Sequence, residues 1–178
     1  MISYAGIGTR SITEHEEQII QKTAHELSKK ELTLYSGNAP GSDINFQLGS
    51  DYSKCVVFLP WNKFNYNEFN ADQCSNFVVG DTEQGLKSVE KFHPNPKSLS
   101  RGAKALMARN YHQVMGYMAL PQVSFVLCCA NYKIVEDTMH VDGGTGQAVR
   151  IANFLNIPVF NIRKPNWLNE LKKFIDSI

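Results

Sequence analysis

The segment Leu32-Thr33-Leu34-Tyr35-Ser36-Gly37-Asn38-Ala39-Pro40-Gly41-Ser42-Asp43 carries a short apolar run into a glycine-rich loop and then into the start of a helix. Leu32 to Tyr35 has the length and character of a strand, and the loop after it combines glycines, hydroxyls and an acid before a short helix that ends near Gly49. The same strand, glycine loop, helix unit occurs on both sides of it. Upstream, Ile2 to Ala5 is a short strand broken by Gly6-Ile7-Gly8-Thr9-Arg10. Thr13 then precedes Glu16 at capping-box spacing, so a helix starts there with Ile19, Ile20, Ala24 and Leu27 on one face. Downstream, Cys55 to Leu59 is a strand closed by Pro60. Val123 to Cys129 is the continuous apolar run of a strand covered on both faces. Gly143-Gly144-Thr145-Gly146 precedes a helix from Gln147 to Leu155, and Pro158 to Asn161 is a last strand. Asn166 to Ile178 reads as a closing amphipathic helix that buries Trp167, Leu168, Leu171, Phe174 and Ile175.

Strands alternating with helices predict an α/β fold: a Rossmann-like three-layer domain with a mainly parallel sheet of about five strands and helices on both faces. Residues 1–178 form one domain on this reading. Residues 61–98, rich in Asn, Phe and Asp, form an irregular, partly helical insertion, and Leu99 to Met115 is again helical. Asn131 to Val141 is a polar excursion. Ligands of such sheets bind beyond the carboxyl ends of the strands, where the three glycine-rich segments converge.

Composition narrows the function. Hydrophobic residues make up 43% and charged residues 20% of the 178 residues, which is globular. The formal net charge of +1 supplies no chain-wide field for a polyanion and argues against an extended nucleic acid partner. Cys55, Cys74, Cys128 and Cys129 lack metal or redox spacing and read as buried free thiols of a cytoplasmic protein. No secretory pattern and no run of 18 apolar residues is present, which argues against a membrane form. The five histidines show no metal-like pairing, so no metal site is expected. No nucleophile and base arrangement follows from residue order, so no catalytic residue and no cofactor is assigned.

The glycine segments carry the candidate ligand-binding residues. Gly6, Gly8, Thr9 and Arg10 offer uncovered backbone N–H groups and a guanidinium, or else a plain tight turn. Ser36, Gly37, Asn38, Ala39 and Asp43 offer ribose contacts, with Asp43 alternatively capping the following helix. Gly143, Gly144, Thr145 and Gly146 form an anion cradle at a helix start. Arg109 and Asn110 lie within the long helix, where an Arg is otherwise a surface residue. Trp61, directly after Pro60, is either a stacking ring for a base or a core aromatic.

Four blocks in order, Gly6 to Arg10, Tyr35 to Asp43, Ala108-Arg109-Asn110 and Gly143 to Gly146, together resemble the SLOG superfamily of Rossmann domains, with its DprA-like and LOG-like branches. The second block is similar to the Ser-Gly-Gly-Ala-x-Gly-x-Asp loop of the DprA branch, and the third to that branch's Arg-Asn pair. The pattern also resembles small DprA-like proteins encoded by bacteriophages. The resemblance implies a binder of a phosphorylated nucleoside or ADP-ribose-type nucleotide, extending to a phage protein that sequesters a host defence signal. It leaves open homodimers or larger assemblies. LOG-type phosphoribohydrolases carry Pro-Gly-Gly-x-Gly-Thr-x-x-Glu, and the acid position here holds Arg150, which cannot act as that acid and argues against their chemistry. A LOG-like N-glycosidase would need other carboxylates, such as Asp81, Glu83 or Glu90. DprA-like single-stranded DNA binding is the remaining alternative.

Overall fold

The computed structural model describes residues 1–67 and 71–178. In chain order its elements are β1 (Ser3–Gly8), α1 (Glu14–Lys29), β2 (Thr33–Ser36), α2 (Ser42–Gly49), β3 (Cys55–Leu59), β4 (Ser75–Val78), α3 (Glu83–Phe92), α4 (Arg101–Met115), β5 (Phe125–Cys129), β6 (Tyr132–Val135), β7 (Thr138–Val141), α5 (Gly143–Phe154), β8 (Val159–Asn161) and α6 (Trp167–Ile175). Six strands form one sheet in the order β4-β3-β2-β1-β5-β8, and each neighbouring pair is parallel.

Alternation along the strands splits the core into two layers, because successive side chains leave a strand on opposite faces. Tyr4, Leu34, Val57 and Leu127 pack on one face with Ile20, Leu27, Phe46 and Leu171 from α1, α2 and α6. Ala5, Tyr35, Val56 and Val126 pack on the other with Val114, Ala148 and Ile151 from α4 and α5. The result is the Rossmann-like three-layer arrangement. The chain winds from β1 out to β4 and then restarts at β5 on the other side of β1. The strand order therefore reverses between β1 and β5, which opens a crevice at their carboxyl ends.

The capping box at the start of α1 is present: Glu16 N–H donates to Thr13 Oγ1, and Thr13 N–H donates to Glu16 Oε2 at 2.8 Å. All four cysteines are buried free thiols. Several elements differ from the sequence reading. The sheet has six strands, not about five, because β4 lies within the segment read as irregular. Its Ser-Asn-Phe-Val sequence occupies an edge and stays largely exposed, so the chain had no need to mark it with an apolar run. The helix α3 lies in the same segment. Strand β1 runs on through Gly8 instead of breaking at Gly6, and the polar excursion from Asn131 is an antiparallel hairpin of β6 and β7. In α6, Leu171 is buried while Leu168 is 41% exposed, so the apolar face is narrower than expected.

Candidate functional site

A cleft of about 570 Å³ opens at the β1 and β5 ends, the position the strand order dictates. Gly8, Thr9 and Arg10 leave β1 into it, and Ala39 and Asp43 reach it from the loop after β2. Met107, Arg109 and Asn110 enter from α4, and Asp142, Gly143, Gly144 and Thr145 form the start of α5. These include ten of the sequence candidates. Gly6, Ser36, Gly37, Asn38, Trp61 and Gly146 are not among the lining residues.

The absences have packing reasons. Gly6 lies inside β1, where a Cβ would sit 2.6 Å from Leu34 Cδ1 and 2.7 Å from Phe46 Cγ. A Cβ at Gly146 would collide with the Val141 carbonyl. Ser36 is buried, with its hydroxyl donating to the Asp43 carbonyl at 3.1 Å and accepting from Gln47 Nε2 at 3.1 Å. Asn38 is also buried and donates from Nδ2 to the Phe64 carbonyl at 2.7 Å, while Asn65 Nδ2 donates to the Asn38 carbonyl at 3.1 Å. The Ser36 to Asp43 loop is thus latched to residues 64–65. Trp61 is 43% exposed and sits edge-on to Phe64, ring centroids 5.0 Å apart at 84°.

Arg109 fills the space that Gly37 leaves. Its Nη1 donates to the Gly37 carbonyl and lies 3.6 Å from Asp43 Oδ2, and its guanidinium stands over Phe64 at 5.9 Å. Burial pushes the Asp43 carboxyl up to about 6, with Arg109 opposing the shift. Asp43 does not cap its own helix, since α2 has no side-chain cap. It instead lies 3.5 Å from the Ala39 N–H, which donates to it. Arg109 is neither a solvated surface residue nor a free charge, and burial lowers its own affinity for the proton.

The opposite wall is open. Gly143 has φ of +68°, and a Cβ there would meet nothing within 4 Å. Asp142 gives α5 no side-chain cap, which leaves N–H groups of its first turn for a ligand or water. Asn110 ties the walls together by donating from Nδ2 to the Gly144 carbonyl at 2.8 Å, and its buried Oδ1 has no partner among the described residues. Arg10 is exposed and makes no ion pair among the described residues. Asn131, which sequence reasoning missed, also lines the cleft. Arg163 holds it there, with Nη1 donating to Asn131 Oδ1 at 2.7 Å and Nε to Glu16 Oε1 at 2.6 Å. That hydrogen bond lowers the Glu16 carboxyl to about 2. The position of Asn131 directly after the central apolar run was the available signal.

The carboxylates considered for a glycosidase do not reach this site. Arg150 donates from Nε to the Phe92 carbonyl at 2.7 Å and from Nη2 to Gln147 Oε1 at 3.0 Å, bracing α5 against the end of α3. Glu83 pairs with Lys87 and Glu90 with Lys104. Among the described residues no group of acidic, histidine or cysteine side chains is placed to hold a metal, and no helix is long and apolar enough to cross a membrane.

No family model matches the sequence, and no curated protein matches it. The fold is similar to that of DNA processing protein A (DprA) from Helicobacter pylori, a solved structure described for its single-stranded DNA binding mode. The TM-score is 0.60 at 19% identity, over 97% of this chain and 72% of the other. The fold is therefore DprA-like and Rossmann-like. This likeness corrects two expectations. It overturns the main sequence reading, a binder of a free phosphorylated nucleoside or ADP-ribose-type nucleotide, and the reading that argued against an extended nucleic acid partner, because the similar structure is that of a single-stranded DNA binder. The error has a physical source. Net charge is a sum over the whole surface, whereas a single strand is held by a few local donors and aromatic faces.

Proposed function

We propose that this chain binds single-stranded DNA across the cleft at the ends of β1 and β5, as one domain of the SLOG superfamily. The observation that carries the reading is the exposed Arg10 guanidinium, which makes no ion pair among the described residues, lining the same cleft as the uncapped first turn of α5. A guanidinium and helix N-terminal N–H groups are the donors that hold a phosphate oxygen. The DprA-like fold supports a strand as the source of that phosphate. The four sequence blocks in family order support the superfamily and its similarity to small phage-encoded DprA-like proteins.

On this reading Arg10, Thr9 and the backbone from Gly143 to Thr145 hold the backbone of the strand. Asn110 Oδ1, buried without a donor among the described residues, accepts a hydrogen bond from the bound nucleotide. Arg109 and Asp43 keep the facing loop in shape and offer the ligand little charge, since each largely offsets the other. Fluorescence anisotropy with a labelled oligothymidylate, competed by unlabelled single strands and by duplex of the same length, tests this. Saturable binding with preferential competition by single strands is expected. Failure to bind the oligothymidylate at low salt contradicts it.

A further inference from the structure

Trp61 is the large aromatic that the cleft does not absorb. It follows Pro60 at the carboxyl end of β3, on the sheet edge where the cleft opens. The other tryptophan, Trp167, packs against the core, whereas Trp61 belongs to neither core layer and is 43% exposed. Phe64, itself 6% exposed, meets it edge-on at 5.0 Å and 84° and so fixes the plane of the indole.

Its position on α4 links it to the cleft. A Cβ at Gly102 would lie 4.0 Å from Trp61 Cζ3, so the edge of the indole lies over the first turn of α4. Leu106, four residues on and hence on the same face of the helix, lines the cleft. Gly102, beneath the indole, and Leu106, at the cleft, are thus about one turn apart on one face of α4. Arg101, beside Gly102 in the chain, and Lys63, two residues after Trp61, are exposed, and neither makes an ion pair among the described residues. An exposed ring together with exposed cations is the combination that holds the bases of a single strand without reading their sequence.

We infer that Trp61 is a stacking platform for a base next to the cleft, so that the bound strand runs from Arg10 and α5 past Leu106 onto the indole. The inference rests on the strand-binding reading above and adds a second contact point to it. A Trp167→Phe variant leaves Trp61 as the lone indole reporter, and titration with an oligothymidylate of about 20 nucleotides, longer than the cleft requires, should quench its emission. Trp61→Ala should bind that oligonucleotide about tenfold more weakly or worse, and Trp61→Phe should recover much of the loss. Absence of binding by the wild type would overturn the strand reading and this inference with it. Wild-type binding with no quenching, and equal affinity in Trp61→Ala, would overturn the platform alone. Should Trp61→Ala unfold, the emission change in Trp167→Phe decides by itself.

Discussion

Two glycine-rich loops of this chain look alike on paper and behave oppositely in the fold. In the Ser36 to Asp43 loop the space beside Gly37 is occupied by the Arg109 guanidinium, and the polar groups of the loop are bonded to the protein. In the Asp142 to Gly146 segment the space beside Gly143 is empty and the helix end is uncapped. A glycine can be required because another part of the protein fills its missing side chain, or because nothing does and a ligand can approach. The first kind marks architecture, the second a binding surface.

The comparison is broken most directly at Arg109. Its removal in Arg109→Ala leaves the buried Asp43 without its nearest opposing charge and the Gly37 carbonyl without its donor, so urea unfolding should show a loss of about 3–5 kcal/mol. A loss below about 1 kcal/mol would mean that the loop is not held by this pair. Next in size, Gly37→Ala drives a methyl into the guanidinium and should cost about 1–3 kcal/mol by the same measurement.

The buried pair also predicts a pH signature. The Asp43 carboxyl is raised in the folded chain from its ordinary 3.8 to about 6. Across that window the folded chain holds a proton that the unfolded chain has released, so the Asp43 contribution to stability is present at low pH and is lost as pH rises towards 6. Glu16 is shifted the other way, from 4.5 to about 2, so its contribution is lost as pH falls through that lower range. Asp43→Asn should flatten the upper window and leave the lower one in place. An unchanged slope above pH 4 in Asp43→Asn would remove the assignment.

The smallest effect on stability belongs to the open loop. A Cβ at Gly144 meets Asn110 Nδ2 at 3.6 Å and Met107 Cε at 4.0 Å, ordinary contacts. Gly144→Ala should therefore unfold within about 0.5 kcal/mol of wild type while weakening oligothymidylate binding several-fold. A large loss of stability would place Gly144 with Gly37 on the architectural side.

The fold was legible because its signals are local. The capping box at Thr13 and Glu16 and the unbroken run from Val123 to Cys129 each announce one element. Strand β4 was not legible, since an edge strand with Ser, Asn and exposed Val side chains carries no buried alternation. The cleft was legible as a set of loops but not as a geometry. Sequence places Gly37 and Arg109 in separate blocks, and only the fold puts the guanidinium onto the glycine, turning two expected ligand contacts into one structural pair. The reading against an extended nucleic acid partner rested on net charge, which does not report that Arg10 lines the cleft with no ion pair among the described residues while Arg109 faces Asp43.

The central claim is that a strand phosphate sits between Arg10 and the first turn of α5. Its most direct test is the salt dependence of oligothymidylate affinity in wild type and in Arg10→Ala, measured by anisotropy at several salt concentrations. Affinity should fall with salt in both, with the logarithmic slope of Arg10→Ala shallower by about 0.7, one phosphate contact on a single strand, and with its melting temperature unchanged. Equal slopes and equal affinities in the two proteins would contradict the claim.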